Sequence, residues 1–162
     1  MTTRMDTRLA GYSSPVLSTF RIVFGLLYTL HGSMKLFGWP IGTAVPTGTW
    51  PFWFAALIEF VLGLLIMAGL FTRIPAFIAS GEMAFAYFYQ HWPPLKGGAS
   101  SSFWPFDRQL GGNGGELVIM FCFAFLLIAT TGAGALSVDA RRRRRVATAG
   151  AAPRRQFRGF RR

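Results

Sequence analysis

Four long apolar segments separated by more polar connections constrain this chain more than any other feature of its sequence. They occupy residues 16–36, 52–70, 74–90 and 117–135. Each is close to the ~17–25 residues with which a helix crosses a ~30 Å hydrocarbon layer. A soluble helix would carry a polar face at helical period, and residues 117–129 show none. The sequence therefore predicts an all-α fold, a bundle of four transmembrane helices within residues 16–140.

The distribution of basic residues predicts the orientation of these helices, because Lys and Arg near helix ends favour the cytoplasmic side. Two arginines precede the first helix, Arg73 lies between the second and the third, and a run of arginines follows the fourth. The connections 37–51 and 91–115 instead contain four of the five tryptophans, whose rings favour the membrane interface. We therefore expect residues 1–15 and the C-terminus in the cytoplasm, and these two connections as outer loops.

The formal net charge of +11 belongs mainly to the C-terminal tail, because ten of the 17 basic residues follow Ala140. Five consecutive arginines repel one another and the next residues are small, so residues 141–162 are predicted to be a disordered cytoplasmic tail. A tail tethered to a helix meets lipid first, which favours the anionic inner leaflet over nucleic acid as its partner. The predicted lipid contacts are Arg141, Arg142, Arg143, Arg144 and Arg145.

Motifs for common cofactors are missing from the sequence. Cys122 is the only cysteine, which excludes a disulfide or a dithiol pair within one chain. The glycine-rich residues 111–115 lack the Gly-Lys-Ser/Thr of a phosphate-binding loop. His31 and His91 fall on the same side and could ligate a haem, but an interfacial position for His91 is the simpler interpretation. We expect no bound cofactor, while contact with a quinone stays open.

Ionisable residues inside the predicted helices are the candidate functional residues, because a charge at the bilayer centre costs about 2.5–3.5 kcal/mol. On the first helix, steps of three and four residues place one set of side chains on a single face beside His31. The set is Arg21, Gly25, Tyr28, Gly32 and Lys35. The first helix is therefore predicted to have a polar stripe with glycine notches.

Helical rise gives the depth of each ionisable residue below the membrane surface. These depths predict a buried pair between Arg21 and Glu82 near the cytoplasmic side. Near the outer side they predict a second cluster, formed by His31, Lys35, Glu59 and Glu116. Such groups either hold the bundle together or line a pocket for a polar headgroup, a quinone ring or a proton.

Short motifs in a fixed order along the four helices carry a resemblance to a known family. They are Arg21 with Gly25, His31-Gly32 with Lys35-Leu36, Glu59 with Gly63-Leu64, and residues 68–73, 81–84, 113–117 and 132–139. Together they resemble the DoxX family of bacterial and archaeal membrane proteins, over about residues 18–140. The resemblance implies a four-helix protein of the bacterial inner membrane.

The resemblance also indicates a functional setting. The DoxX family takes its name from a small subunit of an archaeal thiosulfate:quinone oxidoreductase, and most members have no established activity. We therefore expect a non-catalytic accessory or scaffold subunit of a membrane-bound redox complex linked to quinone or sulfur chemistry, with protein partners or further copies of itself. The alternative is a carrier or binding protein for a small lipidic or sulfur-containing molecule. The sequence holds no metal, flavin, nucleotide or dithiol motif that would indicate an enzyme.

The predicted orientation is testable with reporter fusions. A reporter joined after Arg162 should be active only in its cytoplasm-sensing form, because basic flanks stay on the cytoplasmic side. A reporter inserted in the connection 37–51 should be active only in its export-sensing form. Activity of an export-sensing reporter at Arg162 would contradict this topology.

Overall fold

The computed structural model describes residues 2–92 and 102–150, and all regular structure within these ranges is helical. The α-helices of these ranges are α1 Thr2–Phe37, α2 Phe52–Ala68, α3 Arg73–Ala86, α4 Glu116–Thr131 and α5 Val138–Gly150. A π-helical turn, Tyr87–His91, continues α3, and a 3₁₀ turn, Arg108–Leu110, precedes α4. The predicted all-α class is confirmed.

The predicted helices correspond to α1–α4, but the two ends of the chain differ from expectation. α1 begins at Thr2, so most of the predicted N-terminal segment is helical. Residues 141–150 are not disordered as predicted, because they form most of α5. Residues 151–162 of the predicted tail and residues 93–101 of the predicted outer loop lie outside the described residues.

A side-chain cap explains why a helix forms where disorder was expected. The Ser137 hydroxyl lies immediately before α5 and accepts a hydrogen bond from the backbone N–H of Ala140, at 3.0 Å. This bond satisfies one of the N–H groups that a helix leaves unpaired in its first turn. Asp139 adds a negative charge in the same turn, where the helix dipole favours one. The cap and the charge therefore favour helix formation at the start of the arginine run.

α1 contains the clearest membrane span in the described ranges. Its part Leu9–Phe37, with 29 residues and a mean hydropathy of 1.2, is the one helix there that is both long and apolar enough to cross a membrane. α2 and α4 are apolar but shorter, with 17 and 16 residues. Large apolar side chains are exposed along the outside of the helices, among them Leu27, Leu57, Phe77 and Phe123. A surface of this kind suits contact with lipid.

Glycines bring the backbones of α1 and α2 into direct contact, with the two helices antiparallel. A Cβ atom on Gly25 would lie 2.7 Å from the backbone nitrogen of Met67, and one on Gly32 would lie 2.7 Å from the carbonyl oxygen of Ala56. Gly63 of α2 fits against Thr29 of α1 in the same way. Small residues allow this close approach, so that backbone packs against backbone along the α1–α2 seam formed by Gly25, Gly32 and Gly63.

α3 and α4 form a second antiparallel pair, and aromatic rings join it to the first. The Ser80 hydroxyl of α3 donates to the carbonyl oxygen of Cys122 in α4, at 2.9 Å. Tyr28 of α1 packs against Phe125 of α4, with ring centroids 4.7 Å apart, and Phe121 stacks on Phe125 at 5.7 Å. These buried rings form the centre of the bundle.

The bundle has two ends. The Arg21 end contains Arg21, the turn between α2 and α3, and residues 132–137. The Lys35 end contains Lys35, the π-helical turn and the start of α4. At the Arg21 end α2 stops at Gly69, whose φ of 71° lets its N–H return to the carbonyl oxygen of Ile66.

The α1–α2 seam predicts different outcomes for two glycine substitutions. Gly32→Ala should lower the free energy of unfolding by roughly 1–3 kcal/mol, because its Cβ would overlap the backbone of α2. Gly81→Ala is the matched control on α3, where a Cβ would meet nothing within 4 Å. It should be neutral or stabilise by up to about 1 kcal/mol. Unfolding in detergent measures the free energy of both variants. Equal effects of the two substitutions would show that the backbones of α1 and α2 are not in close contact at Gly32.

Candidate functional site

A cavity of about 180 Å³ lies between α1, α2, α3 and α4 at the Lys35 end. Its polar lining consists of Tyr28, His31, Lys35, Glu59, Glu82, Gln90 and His91. The rest of its lining is mainly apolar and aromatic and includes Phe52, Phe85 and Phe121. Apolar walls with a few converging polar groups are typical of small-molecule sites. The cavity brings together four of the six residues predicted to form the buried polar clusters.

Lys35 and Glu59 form the ion pair of this cavity, linking α1 to α2. The Lys35 ammonium lies 2.5 Å from Glu59 Oε1, and this contact is the one ion pair within the described residues. The Glu59 side chain is 3% exposed while that of Lys35 is 36% exposed, so the pair runs from the interior toward the surface. Glu59 Oε2 is buried and has no hydrogen-bond partner among the described residues. That oxygen can accept a proton or a hydrogen bond from a ligand.

Tyr28 and Glu82 form a second polar pair on the opposite wall. The Tyr28 hydroxyl donates to Glu82 Oε2 at 2.7 Å, and Tyr28 is almost fully buried. This bond joins α1 to α3. The carboxylates of Glu82 and Glu59 are near enough to interact electrostatically. The cavity therefore presents two acidic groups, each held by one donor from α1.

The two histidines of the chain also line the cavity. His31 packs edge-on against Phe121, with ring centroids 5.7 Å apart. His91 Nδ1 lies 3.0 Å from the carbonyl oxygen of Asn113, a contact that ties the π-helical turn to the loop before α4. In the part of the chain that the structure describes, no group of three or more His, Cys, Asp or Glu is placed to hold a metal ion.

The structure corrects two of the predicted contacts. Arg21 and Glu82 do not form a pair, because Glu82 is held by Tyr28 while Arg21 binds backbone groups at the other end of the bundle. Glu116 begins α4 as predicted, but its side chain is exposed and takes no part in lining the cavity. Of the predicted outer cluster, the structure therefore brings together His31, Lys35 and Glu59.

Arg21 is fully buried and binds carbonyl oxygens in place of a carboxylate. Its Nε donates to Ala133 at 2.9 Å and its Nη2 to Leu136 at 2.6 Å. Its Nη1 donates to the carbonyl oxygen of Ile66, which also accepts from the Gly69 N–H, and, at 2.5 Å, to that of Met67 in the last turn of α2. The negative end of the α2 dipole therefore faces the guanidinium charge.

Asp139 completes the Arg21 end and was not among the predicted site residues. Its carboxylate accepts hydrogen bonds from the backbone N–H of Phe71 and from both the N–H and the hydroxyl of Thr72, at 2.9–3.0 Å. Burial alone would raise the pKa of Asp139, but the Thr72 and Phe71 hydrogen bonds and the nearby Arg143 charge hold that pKa below its usual value. Thr72 and Asp139 both lie in the short motifs of residues 68–73 and 132–139. These motifs are the sequence signal that could have identified the two residues.

Comparison with known proteins identifies the family. The family model described as DoxX matches residues 16–92, from α1 to the π-helical turn. A protein of Haemophilus influenzae, described as an uncharacterized protein, is 37% identical over 134 residues, which are 81% of this chain and 93% of that protein. The chain belongs to the DoxX family. No solved structure gives a significant match. Membership in DoxX and the span in α1 together indicate a membrane protein.

Double-mutant cycles test which polar residues touch. Tyr28→Phe and Glu82→Gln should be coupled by about 0.5–3 kcal/mol in the free energy of unfolding, because Tyr28→Phe removes the donor of this hydrogen bond and Glu82→Gln removes the charge of its acceptor. Arg21→Lys and Glu82→Gln should be additive within about 0.5 kcal/mol, because they share no partner. Measurable coupling between Arg21 and Glu82 would contradict the structure and support the pair predicted from the sequence.

Proposed function

We propose that this DoxX protein crosses the bacterial inner membrane four times, through α1–α4, with both termini in the cytoplasm and the Lys35 end outside. At 1.5 Å per residue α2 is ~25 Å long, close to the hydrocarbon thickness. α3 is shorter, but the π-helical turn extends it to His91. The exposed apolar side chains on these helices support a lipid-facing position. Arg73 and the arginines of α5 all lie at the Arg21 end, as the basic-residue rule requires of the cytoplasmic side.

The function that the cavity supports best is binding of a quinone-type ring by a non-catalytic accessory subunit of a membrane redox complex. The observation that carries this proposal is the combination of apolar aromatic walls with paired donors and carboxylates in one cavity. A cavity of roughly 150 Å³ is enough for a benzene ring, and this cavity has about 180 Å³. A single six-membered ring therefore fits its size.

The polar groups suit both redox forms of such a ring. A quinone carries two carbonyl acceptors, for which the Lys35 ammonium and an N–H of His31 are suitable donors. A quinol carries two hydroxyl donors, for which Glu59 Oε2 and the Glu82 carboxylate are suitable acceptors. The site can thus hold the ring without an electron-transfer group of its own, which is the role of an accessory subunit.

A second candidate function is a carrier or binding protein for a small lipidic or sulfur-containing molecule. The observation that favours it is the ion pair between half-exposed Lys35 and buried Glu59. A polar group of a ligand could contact Lys35 near the surface and then Glu59 inside the bundle. Four helices per chain are few for a transporter, so a homo-oligomer would be needed. A flux assay in proteoliposomes that is unchanged by Glu59→Gln and Glu82→Gln would exclude this candidate.

Ligand binding is testable with decylubiquinone and decylubiquinol on the purified full-length protein. Ala86→Leu adds volume inside the cavity lining and should weaken binding tenfold or more, whereas Ala84→Leu makes the same change on α3 outside the lining. The control should leave the affinity unchanged. Isothermal titration measures both variants, and equal affinities for them, or no binding by the wild type, would contradict the quinone site.

The accessory role has a separate test in the native membrane. Crosslinking followed by purification in mild detergent should return this chain together with another redox protein. Repeated isolation as a single stable monomer would count against the accessory role while leaving the cavity and its ligand untouched.

A further inference from the structure

A second and larger cavity lies at the Arg21 end, with a volume of about 1090 Å³. This groove lies between α1, the turn between α2 and α3, residues 131–135 and the first turns of α5. This groove is separate from the proposed ring site, because the two cavities share no lining residue. Its chemistry is also different, since its ionisable lining is mainly basic.

Four arginines face one acid in this groove. Arg73, Arg142, Arg143 and Arg144 line it together with Asp139, so its formal charge is 4 − 1 = +3. The Asp139 carboxylate is already occupied by three hydrogen bonds from Phe71 and Thr72. Arg143 is near enough to interact electrostatically with that carboxylate, but none of the four arginines forms an ion pair within residues 2–92 and 102–150.

Two of the arginines are held in place by the fold. Arg73 Nη1 donates to the carbonyl oxygen of Thr130 at 3.0 Å, at the C-terminus of α4. The Arg142 guanidinium lies 5.2 Å from the centroid of the Phe71 ring, within the range of a cation–π contact. Arg143 and Arg144 are exposed beside them. A phosphate group can bind two arginines held in this way with little loss of side-chain entropy.

Apolar side chains border the same groove. Leu17, Phe71 and Ile74 line it, and Ile74 is 67% exposed. Ser13 and Ser14 line its α1 side, and the Ser13 hydroxyl donates to the carbonyl oxygen of Ala10. A basic centre with an apolar border matches a molecule that has an anionic head and hydrocarbon chains. It matches a free anion less well, because a free anion gains nothing from exposed Phe71 and Ile74.

We propose that this groove is a binding site for one anionic phospholipid. The headgroup phosphate lies between Arg73 and the arginines of α5, and the acyl chains pass along Leu17 and Ile74 toward the bilayer. The site separates the five consecutive arginines into two groups. Arg142, Arg143 and Arg144 line the groove, whereas Arg141 and Arg145, four residues apart on one face of α5, do not.

Two double variants with the same change of charge test this site on the full-length protein. Arg143→Gln with Arg144→Gln removes two charges from the groove, and Arg141→Gln with Arg145→Gln removes two charges from the same helix outside it. Native mass spectrometry measures binding of phosphatidylglycerol, with phosphatidylcholine of the same acyl chains as the neutral lipid. Thermal unfolding verifies that both variants are folded, which their exposed positions favour.

The wild type should retain phosphatidylglycerol in preference to phosphatidylcholine. The groove variant should bind it roughly tenfold or more weakly, because each basic residue contributes about fivefold at an anionic surface. The control variant should lose less than about threefold. Equal losses in the two variants would show that the arginine run acts only as a diffuse charge. Displacement of the lipid by millimolar glycerol phosphate would show a site for free phosphate and overturn the lipid assignment.

Discussion

The guanidinium of Arg21 lies where three separate parts of the chain meet, and the shape of the bundle depends on its hydrogen bonds. It binds the last carbonyl groups of α2 and those of the link between α4 and α5. A buried charge is costly unless it is compensated, so loss of these carbonyl partners would leave it unpaired. The glycine seam extends the same α1–α2 contact toward the Lys35 end. One side chain thereby fixes the end of the bundle opposite the ring site.

The cavity at the Lys35 end follows from this arrangement, because side chains of α1 hold both of its carboxylates. Tyr28 and Lys35 lie two and four helical turns beyond Arg21, and each holds one carboxylate from a neighbouring helix. Since α1 cannot shift along α2 without backbone overlap at Gly25 and Gly32, the position of Glu59 relative to α1 is set by the packing. The cavity is therefore preorganised by the scaffold, which limits the entropy lost when a ligand binds.

The helical class and the Lys35–Glu59 contact were predictable from the sequence, whereas the environment of Arg21 was not. Helical depth placed Glu59 near His31 and just below Lys35, so the predicted outer cluster contained this contact. Depth does not give the rotation of a helix about its axis, and for Arg21 and Glu82 that rotation decided the outcome. Counting only charged partners also overlooked the carbonyl groups at the end of α2. The helical start of the arginine run was likewise missed, although Ser137 is a recognisable cap.

The choice of partner for each buried charge has a consequence for how the two ends respond to acid. Carbonyl oxygens do not take up protons near neutral pH, so acidification leaves the hydrogen-bond acceptors of Arg21 unchanged. The Lys35 end is built on the carboxylates of Glu59 and Glu82, which change charge when they take up a proton. Acidification can thus alter what the cavity holds while the joint between α1, α2 and α4 stays closed.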